Sequence, residues 1–121
     1  QDCIVYTGTH DNNTICGWFE QELTDQAKTR LQRYLGRHIS RENIHWQMIR
    51  LAMMSVADTV IIPLQDILGL GPDARLNQPA GAQDNWQWRL PKGRLTKQHA
   101  KWLKTATATY GRSRVSTIRH L

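Results

Sequence analysis

The sequence predicts an α/β fold in which parallel strands carry helices on their outer faces. Three observations lead there. Cys3-Ile4-Val5-Tyr6 is apolar on consecutive residues, the pattern of a strand buried on both faces of a parallel sheet. Thr59-Val60-Ile61-Ile62-Pro63 is a second short run, rich in β-branched residues, and also reads as a buried strand. About fifty residues of helical character separate the two, ample for the crossover that parallel strands need.

The elements follow in order. The first strand stops at Thr7-Gly8, and the polar stretch Thr9-His10-Asp11-Asn12-Asn13-Thr14 offers several helix N-caps, Asp11 and Asn13 among them. An amphipathic turn with Trp18 and Phe19 spans residues 15–23. Thr24 then caps a helix that runs to about Leu35, with Gly36 as its stop. Ser40 is the expected cap of the next helix, whose apolar stripe is Ile44, Met48, Leu51 and Ala52, widened by Ile49, Met53 and Val56. Pro63 ends the second strand, because proline has no N–H to give to a ladder. A polar run with Pro72, Pro79, Gly81 and the pair Trp86 and Trp88 follows the short helix at residues 65–68. A loop of this length is expected to be functional. Thr96 caps the last helix, with Leu95 stapled onto Ala100, a stripe of Leu103, Ala106 and Tyr110, and Gly111 as its end. Residues 112–121 form a basic C-terminal tail.

Two strands do not make a stable parallel sheet by themselves. The chain also enters its first strand two residues after Gln1. Both features suggest a piece of something longer.

Composition narrows the partners. Of 121 residues, 40% are hydrophobic and 21% charged, which excludes a disordered chain. The most apolar stretch, residues 51–64, contains Asp58 and is too short to span a bilayer, so no membrane partner is expected. Sixteen Lys and Arg against ten Asp and Glu give +6. The basic residues are dispersed, and Lys97, Lys101 and Lys104 form one solvated helix face, so no nucleic-acid partner is expected either. Cys3 and Cys16 have neither disulfide-framework nor metal-ligand spacing. Two reduced thiols, buried or half-buried, point to the cytoplasm.

In parallel α/β folds, ligand groups collect beyond the C-terminal ends of the strands. His10 and Asp11 lie four and five residues past Tyr6. An Asp there can bind a sugar hydroxyl or a metal, act as a base, or simply cap the next helix. Asp66 stands three residues past Pro63 and reads as a first-turn acid complementing a helix dipole. Trp86 and Trp88, if extended, turn both rings to one face, either as a stacking platform or as local core.

Three blocks resemble one family. They are Tyr6-Thr7-Gly8-Thr9-His10-Asp11-Asn12-Asn13-Thr14 with Gly17-Trp18; Ile61-Ile62-Pro63-Leu64-Gln65-Asp66-Ile67-Leu68-Gly69-Leu70-Gly71; and Ala74-Arg75-Leu76-Asn77-Gln78-Pro79 with Asn85-Trp86-Gln87-Trp88-Arg89. In order and spacing they resemble the 4-α-glucanotransferases (amylomaltases) of glycoside hydrolase family 77. The resemblance implies that residues 1–111 are the last quarter of a (β/α)₈ TIM barrel, its seventh and eighth βα units. It implies retaining transfer of α-1,4-glucan segments between maltodextrins. A retaining enzyme uses two carboxyl groups about 5 Å apart, and in the family both lie on earlier strands. What carries over is a catalytic pair, His10 and Asp11, gripping the sugar at the point of cleavage, with Asn12 and Asn77 as further substrate contacts. No cofactor or metal is implied. The partners would be maltodextrin or starch oligosaccharides and the N-terminal part of the barrel. Position 13 is Asn where the family commonly has Asp. The alternative is a small module that binds carbohydrate through Trp86 and Trp88, or nucleic acid through the last helix.

Overall fold

The computed structural model describes residues 2–81 and 83–113. Two strands, β1 (Ile4–Tyr6) and β2 (Thr59–Ile61), pair in parallel with Ile4 opposite Thr59, Val5 opposite Val60 and Tyr6 opposite Ile61. Three helices form the crossover: α1 (Ile15–Gln21), α2 (Asp25–Leu35) and α3 (Ile44–Met53). The short helix α4 (Leu64–Ile67) and a 3₁₀ turn (Pro72–Ala74) follow β2, and α5 (Lys97–Thr109) closes the described order. The expected α/β class and parallel pairing are therefore present. The expected tail falls largely on residues 114–121, outside the described residues.

Helix α3 is the centre of the packing. Ile44 and Ile49 on it are fully buried. Its first turn joins Ile15, Cys16, Phe19 and Ile39 in one cluster, on which Leu31 and Leu35 of α2 rest. Further along, Ile49 and Met53 meet Ala106 of α5, and the Trp46 and Trp102 rings stack at 3.9 Å between centroids. A buried aliphatic side chain of this size contributes about 1.5–3 kcal/mol.

The helix ends follow local chemistry with three corrections. Thr24 caps α2, accepting from the Ala27 N–H at 3.2 Å, and Gly36 ends it in the left-handed region at φ 68°. Thr96 and His99 form a reciprocal capping box on α5. The cap of α1, however, is Thr14, whose hydroxyl accepts from the Gly17 N–H at 3.0 Å, and neither Asp11 nor Asn13 fills that role. Ser40 does not cap α3. Asn43 occupies the cap position, and its side-chain Oδ1 turns back to accept the Ser40 N–H at 2.8 Å. Leu95 is half exposed and its expected partner Ala100 is exposed as well, so the expected staple is not a buried contact.

The strands depart most from expectation. β2 begins at Thr59 and ends before Ile62, and Cys3 lies outside β1. Neither strand is buried on both faces: Ile4, Tyr6 and Ile61 are 55%, 48% and 42% exposed. Each strand has one neighbour among the described residues, so its other edge and part of its surface stay open. Cys16 is buried as expected, with its thiol pushed up by burial, but Cys3 is exposed.

After α5, Arg112 ties the crossover's end to β2. Its guanidinium donates to the carbonyls of Met53 at 2.9 Å, Ser55 at 3.0 Å, Ala57 at 2.9 Å and Asp58 at 3.5 Å. These include the unpaired C-terminal carbonyls that every helix leaves.

Candidate functional site

Because β1 and β2 are parallel, the segments that leave them emerge at one end of the sheet. The segment after β1 carries Thr9, His10, Asp11 and Asn12. It is a tight polar turn. Asn12 Oδ1 accepts from the Thr9 N–H at 2.7 Å and the Thr9 hydroxyl at 2.9 Å, the local side-chain-to-backbone closure that Asn favours.

His10 and Asp11 are adjacent in space as well as in sequence, with His10 Nε2 3.3 Å from Asp11 Oδ2 and both side chains about half exposed. A third group comes from the loop after the 3₁₀ turn. Asn77 Nδ2 donates to Asp11 Oδ1 at 2.6 Å. The structure thus brings together three of the four candidate residues around one carboxylate, with Asn12 bracing the turn beside them.

Two further residues complete the arrangement, and neither was singled out for it by sequence. Arg75 donates to the Asp11 carbonyl at 2.8 Å and to the Asn77 carbonyl at 2.8 Å, which ties the two loops together. The Trp86 ring lies against His10, with centroids 5.2 Å apart and planes 36° apart. Trp86 has φ 63°, so the condition for Trp86 and Trp88 to share one face of an extended segment is not met. Its N–H donates to the Leu76 carbonyl at 2.5 Å, which carries the ring back to the site. The signal for Arg75 was present within the block 74–79. The Trp86 contact depends on a left-handed backbone that composition does not announce.

Asp66 is more than a dipole complement. It is 3% exposed, and its two oxygens accept from the Ile15 N–H at 2.8 Å and the Thr7 hydroxyl at 3.1 Å. Burial pushes its carboxyl above the ordinary carboxylate range, and the two hydrogen bonds oppose that. Asn13 donates to Gln21 Oε1 at 3.2 Å and to the Glu22 carboxylate at 3.0 Å. A carboxylate at position 13 would face Glu22 with like charge. The amide at position 13 therefore has a local partner in Glu22.

A cavity of about 440 Å³ opens beside the turn, lined by Tyr6, His10, Asn12, Ile61, Asp66 and Arg75 among others. Polar groups converging on an apolar recess suit a small polar ligand. Among the described residues, no three His, Cys, Asp or Glu side chains cluster to hold a metal, and no helix is long and apolar enough to cross a membrane. Lys97, Lys101 and Lys104 are exposed on α5.

Known proteins agree on one neighbourhood. A solved amylomaltase from Streptococcus agalactiae, in complex with acarbose, superposes with a TM-score of 0.83 at 39% identity, over 91% of this chain and 22% of that one. The 4-alpha-glucanotransferase of Synechocystis is 48% identical over 92% of this chain and 22% of its own length. The chloroplastic/amyloplastic 4-alpha-glucanotransferase of Solanum tuberosum is 45% identical over 93% of this chain and 20% of its own. The chain spans about a fifth of the length of these relatives. The family model of 4-alpha-glucanotransferases matches residues 1–96, which take in both strands, the His10–Asp11 turn and the loop with Arg75, Asn77 and Trp86. The chain belongs to the 4-alpha-glucanotransferases of glycoside hydrolase family 77.

Proposed function

We propose that this chain is the last quarter of a (β/α)₈ barrel, with β1 and β2 as its seventh and eighth strands, in an enzyme that transfers α-1,4-glucan segments between maltodextrins with retention. The observation that carries the reading is the Asp11 carboxylate, flanked by His10 and Asn77 at the C-terminal end of paired parallel strands. That end is where barrel enzymes place their chemistry.

In such a reaction one carboxylate attacks the anomeric carbon while a second carboxylic acid protonates the departing glycosidic oxygen. A glycosyl-enzyme ester forms. The hydroxyl of an acceptor glucan then attacks it, giving its proton back to the second group. Neither of those two carboxyl groups is assigned to this chain. Its own residues bind and orient. A carboxylate only accepts hydrogen bonds, so Asp11 suits a pair of sugar hydroxyls. Bonds to the 2-hydroxyl tighten as positive charge develops on the ring, so they favour the transition state over the bound sugar. His10 beside it grips the same sugar, Asn77 steadies the carboxylate, and Asn12 and Asn77 border the sugar. The solved amylomaltase binds acarbose, which supports an oligosaccharide ligand here. The Trp86 ring packed on His10 favours this site over a free-standing Trp platform. The unpaired thiols of Cys3 and Cys16 support a cytoplasmic setting.

The test is Asp11→Asn in the full-length enzyme, measured as glucose released from maltotriose. The rate should fall about a hundredfold or more with the circular dichroism spectrum unchanged. A near-normal rate would remove Asp11 from the mechanism.

A further inference from the structure

We propose that Asp66 is a positioning residue for the transfer reaction, fixing both ends of the segment that carries His10 and Asp11. This rests on the sugar-binding role given to that pair.

The segment is residues 8–14. Thr7 immediately precedes it and Ile15 immediately follows it. Both are held by one carboxyl group: Thr7 Oγ1 donates to Asp66 Oδ2 at 3.1 Å, and the Ile15 N–H donates to Asp66 Oδ1 at 2.8 Å. The two bonds cross 59 and 51 residues of sequence. Asp66 is therefore a single clamp from the second βα unit on the entry and exit of the first unit's loop. The clamp is itself anchored, since the Asp66 N–H donates to the Pro63 carbonyl at 3.0 Å at the start of α4.

The choice of residue argues for this role. A carboxyl group in so buried a place costs free energy, which an apolar side chain would avoid. An apolar side chain could not accept two bonds from two directions. Asp66 touches neither His10 nor Asp11 in the hydrogen-bond network, so its effect passes through the backbone of residues 8–14. Arg75 and Asn77 act on the same turn from the other side, at the Asp11 carbonyl and Oδ1. The turn is thus held at its two flanks by Asp66 and at Asp11 by Arg75 and Asn77. Small misplacements of groups that engage the transition state cost rate steeply.

The experiment uses the full-length enzyme with maltotriose. Thr7→Val and Asp66→Ala should each lower kcat about tenfold, with KM changing by less than about twofold. Asp66→Asn should recover most of the rate, because its amide can accept from the Ile15 N–H and donate to the Thr7 oxygen. In a His10→Asn background, Thr7→Val should cost little more, because both changes act on one unit. Should Asp66→Ala not fold, Thr7→Val and its cycle with His10→Asn carry the test. Unchanged kcat in Thr7→Val, or a loss that multiplies with that of His10→Asn, overturns the positioning role. Full activity in Asp11→Asn would instead overturn the reading of the site on which it rests.

Discussion

His45 is a buried imidazole on α3 that takes no part in the proposed chemistry, yet it sets how the fold meets acid. Burial first, then the nearby Arg41 guanidinium and His99, hold its pKa down to about 4 from an ordinary 6.5. The folded chain keeps His45 neutral between those values, while the unfolded chain takes up a proton. Stability therefore falls as pH drops from 6.5 towards 4, by about 2–3 kcal/mol. Asp66 acts in the opposite sense, since its raised pKa lets the folded form hold a proton longer than the unfolded chain. Comparing wild type with His45→Gln by urea unfolding at several pH values isolates the histidine. The variant should lose this much less stability on acidification, and parallel pH curves would show that His45 does not titrate as described. At this scale the sequence was legible where chemistry is local. His10 and Asp11 stand just past a strand end and could be named from that, whereas Asn77, 66 residues from Asp11, came only from the family resemblance; the three do meet. Asp66 was underestimated because its partners, Thr7 and Ile15, lie more than fifty residues away and nothing in its own neighbourhood points to them.

At the scale of elements, the link between α4 and the loop beyond it depends on one glycine. Gly69 has φ 65°, and a Cβ there would lie 2.9 Å from His45 Cε1. Gly69→Ala is strained both by its backbone and by the ring it would meet, so it should cost about 1–3 kcal/mol. Arg41 donates to the Gly69 carbonyl at 3.0 Å, so the disturbance would spread to the Arg41–Glu20 ion pair. Thermal unfolding measures the loss, and a variant as stable as wild type would mean that α3 moves aside at no cost. Caps such as Thr24, Gly36 and Thr96 were readable because each acts within four residues of itself. Ser40 was misread because residues 41–43 form turns, so that α3 begins at Ile44, about one turn later than expected.

For the whole molecule, the open surface of the sheet decides behaviour in solution. β1 and β2 are three residues each, and Ile4, Tyr6 and Ile61 are largely exposed. Such edges invite pairing with other strands, and a two-stranded sheet contributes little stability alone. The isolated 121-residue chain should therefore self-associate, with sedimentation velocity showing species above 14.0 kDa. Within the complete enzyme the same surface should be covered. A strictly monomeric chain with a sharp unfolding transition would show that α1, α3 and α5 suffice. The sequence conveyed the parallel pairing through runs of β-branched residues, but it overstated strand burial. Hydrophobicity records the burial a residue has evolved for, and only the neighbours present deliver it.

Arg112 has a consequence for how this segment can diverge. The four hydrogen bonds of its guanidinium all end on main-chain oxygens of residues 53–58. The grip reads the path of the chain there and ignores which side chains it carries. Met54 and Val56, both exposed, are thus free to drift over evolutionary time while the turn keeps its shape. Arg112 has no such freedom, because a lysine offers a single point charge in place of a planar fork. Constancy at position 112 beside variability at 54 and 56 is the signature this geometry should leave in a lineage.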